Sequence, residues 1–187
     1  MKFTSLKISF CALMLSSVIA NATPSPKIES VLNQHDSIDY GSSISADGKT
    51  MYYTHAEAGF KQRKLMVATL QDGKVLSRKP LLLGGQIIVG GDVQISPDGN
   101  TLTFCSEMPI ERSETRKDRD LFYATKTADG WSAPKRFSES INTESSEFYP
   151  VLTHSGNLYF SRANKETSMD LYVAEFVDGE YQQAQKL

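Results

Sequence analysis

The sequence has few cysteines, one tryptophan and little net charge: 187 residues carry two Cys, one Trp, 20 basic and 22 acidic side chains. Cys11 lies in an N-terminal apolar run, so the rest of the chain holds Cys105 alone and forms no intramolecular disulfide. The balanced charge, without a basic stripe, argues against nucleic acid as a partner. Beyond the N-terminus, no apolar run approaches the roughly 20 residues that cross a bilayer, so no membrane span is predicted in the mature chain.

Sequence motifs of catalysis and cofactor binding are also missing. The chain has no G-x-S-x-G, no H-E-x-x-H, no cysteine pair with zinc spacing and no glycine-rich phosphate loop. We therefore predict no catalytic residue, no metal site and no cofactor. His35, His55 and His154 are interpreted as surface side chains, and Cys105 as a buried thiol because it ends the apolar run 102–105.

The first 22 residues have the pattern of an export signal. Lys2 and Lys7 precede an apolar run over 8–20, and Ala20-Asn21-Ala22 supplies the small residues that a signal peptidase reads. We predict cleavage between Ala22 and Thr23, and a periplasmic or secreted mature protein. An uncleaved anchor or a buried first helix is the alternative.

Three copies of one sequence unit follow, at a period of about 50 residues. A turn of the Asp-Gly type recurs at 44–49 (ISADGK), 95–100 (ISPDGN) and, more loosely, 152–157 (LTHSGN). An aromatic-rich run follows each turn, and a second related run is found at 64–68, 120–124 and 170–174. Aromatic and β-branched runs separated by Asp-Gly predict antiparallel strands joined by hairpins, with almost no helix.

One four-stranded unit cannot bury both of its faces, whereas radial stacking of such units buries them. The sequence therefore predicts an all-β chain: a β-propeller of three four-stranded antiparallel blades, partial or open. The blades are placed at about 39–88, 89–146 and 147–187, after a lead-in at 23–38. A non-repetitive β-sandwich is the alternative fold.

These motifs resemble a known repeat family. Ile-Ser-Pro-Asp-Gly at 95–99, Asp-Leu-Phe-Tyr at 120–123 and Asp-Gly-Trp-Ser-Ala-Pro at 129–134 are similar to the WD-like propeller repeat of the TolB type, as are 141–143, 147–150 and 156–161. The resemblance covers nearly all of 39–187. It implies an exported bacterial protein, often six-bladed, of a family that includes periplasmic binding scaffolds and the propeller domains of some peptidases.

Three units are fewer than a closed propeller needs. We expect a truncated relative of a longer protein, a homodimer that closes a six-bladed ring, or an open arc. Residues 27–33 lie before Asp39 at a position that matches that of residues 134–141 before Glu147. The lead-in is therefore interpreted either as a closing strand or as an ordinary leading peptide.

Asp39 and Glu147 are the candidate binding residues. Each lies five positions before the apolar residue that anchors an inner strand, near the expected mouth of the channel, and the second unit has Val89 at the matching place. Two acids there suit a cation or a positively charged ligand. The alternative is that each carboxylate accepts hydrogen bonds that hold neighbouring blades together. The longer charged loop at 111–120 is interpreted either as a partner contact or as an ordinary solvated loop, and Trp131 either as a ligand contact or as a packing residue.

Two functions remain open. The first is an exported, non-catalytic propeller that binds or scaffolds an unknown protein, peptide or glycan in the bacterial envelope. The second is the propeller portion of a hydrolase, a peptidase or a polysaccharide-processing enzyme, whose catalytic part lies outside this chain. The missing catalytic motifs favour the first.

Overall fold

The computed structural model of the protein describes residues 36–108, 118–166 and 168–187. These residues form strands and turns and contain no helix, so the predicted all-β class is confirmed. The predicted signal at 1–22, its cleavage site and most of the lead-in and of the charged loop lie outside the described residues. No helix of the described part is long and apolar enough to cross a membrane.

The strands group into three larger antiparallel sheets, here sheets 1, 2 and 3, and two small hairpins. Sheet 1 has the order β1-β2-β3-β4: β1 (Ser37–Ile44), β2 (Thr50–Glu57), β3 (Lys61–Gln71) and β4 (Lys74–Pro80). A hairpin of β5 (Leu82–Leu83) and β6 (Gln86–Ile87) follows.

Sheets 2 and 3 repeat this meander. Sheet 2 has the order β7-β8-β9-β10, and β11 also pairs with β9: β7 (Gly91–Ile95), β8 (Thr101–Ser106), β9 (Asp120–Thr127), β10 (Gly130–Trp131) and β11 (Lys135–Arg136). Sheet 3 has the order β12-β13-β14-β17: β12 (Glu147–Leu152), β13 (Leu158–Asn164), β14 (Ser168–Ala174) and β17 (Gln185–Lys186). A second hairpin, β15 (Phe176–Val177) with β16 (Glu180–Tyr181), lies between β14 and β17.

The recurring turn between the first two strands of each sheet is held by its own side chains. Asp47 accepts hydrogen bonds from the Ser45 hydroxyl at 2.6 Å and from the Lys49 amide at 3.0 Å. Asp98 accepts the same two bonds in sheet 2. In sheet 3, where the Asp is missing, the Thr153 and Ser155 hydroxyls bond to each other at 2.9 Å instead. A polar side chain that bonds the backbone nearby thus specifies the turn in all three copies.

Each inner strand carries an irregularity at the same position. The pairing register of β1, β7 and β12 with its neighbour shifts, and one residue at each shift has a positive φ: Gly41 (62°), Asp92 (56°) and Tyr149 (52°). Such bulges bend a strand and increase its twist. The inner strands contact one another, β1 with β7 and β7 with β12, so the three bulges lie side by side along a common axis.

The hydrophobic core lies between the sheets rather than within one of them. Between sheets 1 and 2 it contains Leu65, Leu102 and Phe104, each fully buried, together with Leu83 from the β5–β6 hairpin. Trp131 of sheet 2 packs edge-on against Tyr52 of sheet 1, with ring centroids 6.1 Å apart, which confirms the packing interpretation of this tryptophan. Cys105 is buried, as predicted.

A second core joins sheets 2 and 3. Leu121 of sheet 2 and Leu158 and Phe160 of sheet 3 meet there, and the segment between the sheets adds Phe137 and Ile141. Each sheet therefore buries its neighbour's face, as stacked repeats do.

Candidate functional site

Asp39, the first predicted binding residue, is buried in sheet 1 and already has partners. Its Oδ1 lies 2.8 Å from Nδ1 of His55, its register partner on β2, and its Oδ2 lies 3.9 Å from a guanidinium nitrogen of Arg78. The Asp39 side chain is 5% exposed. An aspartate that holds a histidine by Nδ1 also occurs in catalytic triads, where a hydroxyl or thiol bonds the other ring nitrogen. Among the described residues, the hydrogen bonds of His55 include none with such a nucleophile.

Glu147, the second predicted residue, occupies the corresponding place in sheet 3. It pairs with Arg162 in the register of β12 and β13, and its Oε1 accepts hydrogen bonds from Arg162 Nε and from the Thr143 hydroxyl, both at 2.8 Å. Arg162 also donates to the Ile141 carbonyl at 2.7 Å. Because Ile141 and Thr143 belong to the segment that joins sheets 2 and 3, Glu147 and Arg162 fix that segment to sheet 3.

The described partners of Asp39 lie in its own sheet, and those of Glu147 lie in sheet 3 and in the segment that enters it, so neither carboxylate is seen to bond a neighbouring sheet directly. A binding role for the two carboxylates stays a prediction, and a ligand there would displace the partners just described. The register of β7 corrects one detail: Gly90, not Val89, corresponds to Asp39 and Glu147 in sheet 2, because Gly91 pairs with Cys105 as Tyr40 pairs with Thr54. The Phe104 ring and the backbone of β8 occupy that side, since a Cβ on Gly90 would lie 2.7 Å from the Cys105 carbonyl.

Burial of Glu147 makes the stability of the fold depend on pH. Desolvation raises the pKa of its carboxyl to about 7, against the opposing effect of the Thr143 and Arg162 hydrogen bonds, whereas the ordinary value is 4.5. Between pH 4.5 and pH 7 the Glu147 carboxyl is protonated in the native state and ionised in the unfolded chain. The stabilisation is therefore complete below pH 4.5 and is lost as the pH rises through 7.

We expect the free energy of unfolding to fall by about 3 kcal/mol from pH 4.5 to pH 8. Urea titrations across this range measure it, and Glu147→Gln, which keeps the shape of the side chain, should flatten the dependence. Asp92, whose pKa is also raised by burial, contributes in the same direction, so a residual slope should remain in the variant. A wild-type stability that rises over this range would contradict the prediction.

The axial end of the inner strands holds a third acid, which the sequence did not single out. Asp92, at the bulge of β7, is 5% exposed, and burial raises its pKa while the Cys105 thiol and the Tyr149 amide bond to it and lower the pKa. Its Oδ2 lies 3.4 Å from the Cys105 sulfur, and its backbone amide donates to the Thr54 hydroxyl at 3.0 Å. Burial and the Asp92 charge raise the pKa of the Cys105 thiol, so Cys105 is not a nucleophile at neutral pH.

Two arginines near Asp92 come from neighbouring sheets. Arg63 of β3 and Arg119, just before β9, both donate to Oε1 of Glu107, at 2.8 and 3.0 Å. Burial acts to raise the pKa of Glu107, but the bonds from Arg119 and Arg63 outweigh it and lower the pKa. The positive charges of both arginines also act to lower the pKa of Asp92, against the larger effect of burial. One carboxylate thus orients two guanidiniums at the axial end.

Aromatic rings complete this axial cluster. Arg119 lies over the Phe148 ring at 5.3 Å, and Tyr149 is 52% exposed beside it. Tyr40 packs edge-on against Phe60, which is 54% exposed. We define the axial cluster as Tyr40, Phe60, Arg63, Asp92, Glu107, Arg119, Phe148 and Tyr149. The remaining N–H groups of the two guanidiniums, beside exposed aromatic rings, can bind a carboxylate through charge-assisted hydrogen bonds.

A cleft of about 850 Å³ opens at the opposite end, between sheets 2 and 3. Four aromatic rings line it in a row: Tyr123 and Phe137 lie 4.9 Å apart, Phe137 and Tyr181 5.4 Å, and Tyr181 and Phe176 4.9 Å. His154 is at its rim, in a turn. This cleft was not predictable from the sequence, because its walls come from two sheets.

Within the described ranges, no group of three or more His, Cys, Asp or Glu side chains is placed to hold a metal ion. His55 and His154, the described histidines, lie at opposite ends of their sheets.

Comparisons with known proteins identify the fold. No family model and no curated protein matches the chain. Among solved structures, the chain is similar to TolB from Acinetobacter baumannii, with 17% identity, a TM-score of 0.54, and coverage of 81% of this chain and 33% of that one. A candidate TolB from Agrobacterium tumefaciens has 15% identity, a TM-score of 0.56, and coverage of 82% and 50%. A puromycin-hydrolyzing peptidase from Mycobacterium tuberculosis has 15% identity, a TM-score of 0.51, and coverage of 81% and 23%.

At these identities the likeness shows the fold alone, a propeller fold of the TolB-like kind. The chain spans a third to a half of the two TolB structures it matches. What those proteins bind or catalyse is not transferred by the fold.

Proposed function

We propose that the protein is an exported, non-catalytic propeller that acts as a binding or scaffold protein of the bacterial envelope, with sheets 1 to 3 as three of its blades. The axial cluster is its binding surface, and the ligand is a carboxylate-bearing segment of a protein or peptide. The observation that carries this proposal is the convergence of Arg63 and Arg119, from two sheets, on one Glu107 oxygen.

The chemistry of the axial cluster supports an anionic ligand. Each guanidinium has five N–H donors, and the hydrogen bonds to Glu107 use one on each arginine. The pairing with Glu107 positions both guanidiniums before a ligand arrives, which reduces the entropy lost on binding. Exposed Tyr149 and Phe60 provide apolar area around the charges.

The test uses a fluorescein-labelled peptide of alternating Glu and Phe, with a Gln-for-Glu peptide as the neutral probe. We expect the acidic peptide to bind, with an affinity that falls as salt is added. The double variant Arg63→Gln, Arg119→Gln should weaken binding at least about tenfold. This is the factor expected when even one charge-assisted hydrogen bond to the ligand is lost. Lys79→Gln, on exposed β4, is the matched control and should leave affinity unchanged. Equal binding of both peptides, or no effect of the double variant, would refute the site.

A second candidate is the propeller portion of a hydrolase. It is favoured by the similarity to the mycobacterial puromycin-hydrolyzing peptidase, of which this chain covers 23%. The genomic sequence downstream of codon 187 tests this candidate. An in-frame continuation with a G-x-S-x-G strand–turn–helix segment supports it, and an immediate stop codon counts against it.

We also propose that two copies pair through the outer face of sheet 3 and close a six-bladed ring. Leu171 is 60% exposed on this face, whereas Leu65 and Leu121, at the same place in sheets 1 and 2, are fully buried by the next sheet. Tyr159 and Val151 extend the exposed apolar face. Light scattering of the mature chain should give twice the monomer mass, and Leu171→Asp should restore the monomer; a wild-type monomer at the highest soluble concentration contradicts pairing.

A further inference from the structure

The aromatic cleft between sheets 2 and 3 corresponds to a space that is filled between sheets 1 and 2. Tyr181, in the lining of the cleft, holds the place in sheet 3 that Trp131 holds in sheet 2, since the amide of the next residue bonds an equivalent backbone carbonyl in both sheets. Phe137, also in the lining, corresponds to Leu81, since their amides donate to equivalent residues of β9 and β3. The two interfaces can therefore be compared position by position.

The β5–β6 hairpin fills this space between sheets 1 and 2. Its Leu83 is fully buried in the core there, and the Gly84 amide donates to the Trp131 carbonyl at 3.0 Å. A Cβ on Gly84 would lie 2.7 Å from the Cα of Ala133, so the hairpin rests directly on the segment that follows β10. The Tyr52 ring packs edge-on against Trp131 and is a second filling group.

Two differences leave the corresponding space open between sheets 2 and 3. The smaller Thr103 replaces Tyr52, because the two residues hold the same register position in β8 and β2. The described segment between β11 and β12 forms no hairpin and turns instead at Ser138, whose carbonyl accepts from the Ile141 amide at 3.0 Å. The remaining cleft of about 850 Å³ has the size of a small-molecule site.

The lining of the cleft combines accessible aromatic rings with polar groups that have no partner. Phe176 is 41% exposed, and Tyr123 and Tyr181 are half-buried. Five polar groups of the lining form no hydrogen bond within the described part of the chain: the hydroxyls of Thr101, Tyr123 and Thr125, the His154 ring and the Glu180 carboxylate. A ligand in the cleft therefore meets apolar ring surface and free donors and acceptors together.

This combination distinguishes between classes of ligand. An apolar group in the cleft would remove the free polar groups from water without giving them partners, which opposes binding. An anion would face the Glu180 carboxylate, and the Arg136 guanidinium is already paired with Asp120 at 2.6 Å. A neutral sugar ring suits both features of the lining, because its C–H faces pack on aromatic rings while its hydroxyls donate and accept hydrogen bonds.

We propose that the cleft is a second binding site, for a neutral saccharide. One sugar ring packs against Phe176 and Tyr181, in the space that the β5–β6 hairpin and the Tyr52 ring fill between sheets 1 and 2. Its hydroxyls bond the Thr125 hydroxyl and the Glu180 carboxylate. The site lies at the other end of the inner strands from the axial cluster and does not depend on the ligand proposed for that cluster.

Isothermal titration with three neutral probes tests the site: maltotetraose, cellotetraose and N-acetylchitotetraose. We expect at least one probe to bind at concentrations up to about 10 mM, which detect dissociation constants in the millimolar range. Because the ligand carries no charge, its affinity should not fall as salt is added, in contrast to binding at the axial cluster. Binding of none of the three probes would overturn the proposal.

Two substitutions on the surface of the cleft test the contacts. Thr125→Val keeps the shape of an exposed side chain and removes its hydroxyl, so it should weaken saccharide binding about threefold to tenfold. Phe176→Ala removes a stacking ring and should weaken binding at least about fivefold. Thr69→Val is the matched control and should leave the affinity unchanged, because Thr69 holds the position in sheet 1 that Thr125 holds in sheet 2.

An apolar ligand would respond to Thr125→Val in the opposite direction. A neutral, leucine-rich peptide blocked at both ends is the probe for this competing class, and we expect it not to bind. Binding of the peptide instead of the saccharides, with an affinity that rises in Thr125→Val, would show an apolar peptide groove and overturn the saccharide site. Equal effects of Thr125→Val and Thr69→Val on saccharide binding would overturn it as well.

Discussion

Arg162→Ala should lower the free energy of unfolding by about 3–5 kcal/mol at pH 8, because the buried Glu147 carboxyl must then either ionise without its partner or take up a proton well above its ordinary pKa. Glu147 is fully buried, and Arg162 Nε is its charged donor at 2.8 Å. The same substitution removes the donor to the Ile141 carbonyl and the guanidinium that lies 4.3 Å from the Tyr172 ring centroid. The variant thus loses three contacts at once, two within sheet 3 and one to the segment that enters it.

The pH dependence distinguishes this cause from a simple loss of packing. Without Arg162 the pKa of Glu147 should rise further above 7, so at pH 5, where the carboxyl is protonated in either protein, the loss should be smaller than at pH 8. Urea titrations at the two pH values measure both effects. Lys186→Ala, which removes an exposed lysine that pairs with Asp170 in the same sheet, is the control and should have only a small effect, well below that of Arg162→Ala. An equal loss at both pH values would refute the electrostatic explanation.

Phe104→Ala should cost about 3–5 kcal/mol, the range for truncation of a buried aromatic side chain. Phe104 is fully buried between sheets 1 and 2 and stacks on Phe122, with ring centroids 5.9 Å apart. Its removal opens a cavity that strands paired on both sides cannot collapse to fill. Because the sheets are stabilised by their neighbours, thermal unfolding should remain cooperative, at a lower midpoint.

Leu76→Ala is the matched control for this prediction. Leu76 is an apolar residue of β4 that is 60% exposed, so its truncation should change stability by no more than about 0.5 kcal/mol. If both substitutions cost the same, the core would not lie between the sheets as described.

The sequence alone predicted the strands, their turns and the all-β class. These depend on local chemistry: alternation of apolar residues sets the strand faces, and Asp98 or Asp47 bonding the backbone nearby sets the turn. Burial of Cys105 and the packing of Trp131 were also predicted correctly, because both belong to the repeated pattern that forms the faces between sheets.

The partners of Asp39 and Glu147 could not be predicted from local sequence chemistry in the same way. Their positions in the repeat were read from the sequence, but Arg162 and His55 became their partners through strand register, which depends on where a bulge falls. The choice of Val89 instead of Gly90 in sheet 2 has a different origin, since Gly90 lies five positions before Ile95 as Asp39 lies five before Ile44. A search for charged residues opposite each inner-strand acid would have found Arg162.

The axial cluster and the cleft were decided by tertiary structure alone. Arg63 and Arg119 are far apart in sequence and meet on Glu107 only because sheets 1 and 2 stack side by side. Thus the sequence by itself determined the repeating unit, since turns and strand faces arise from neighbours along the chain. Stacking decided which charges and rings converge, since that depends on the twist and separation of whole sheets.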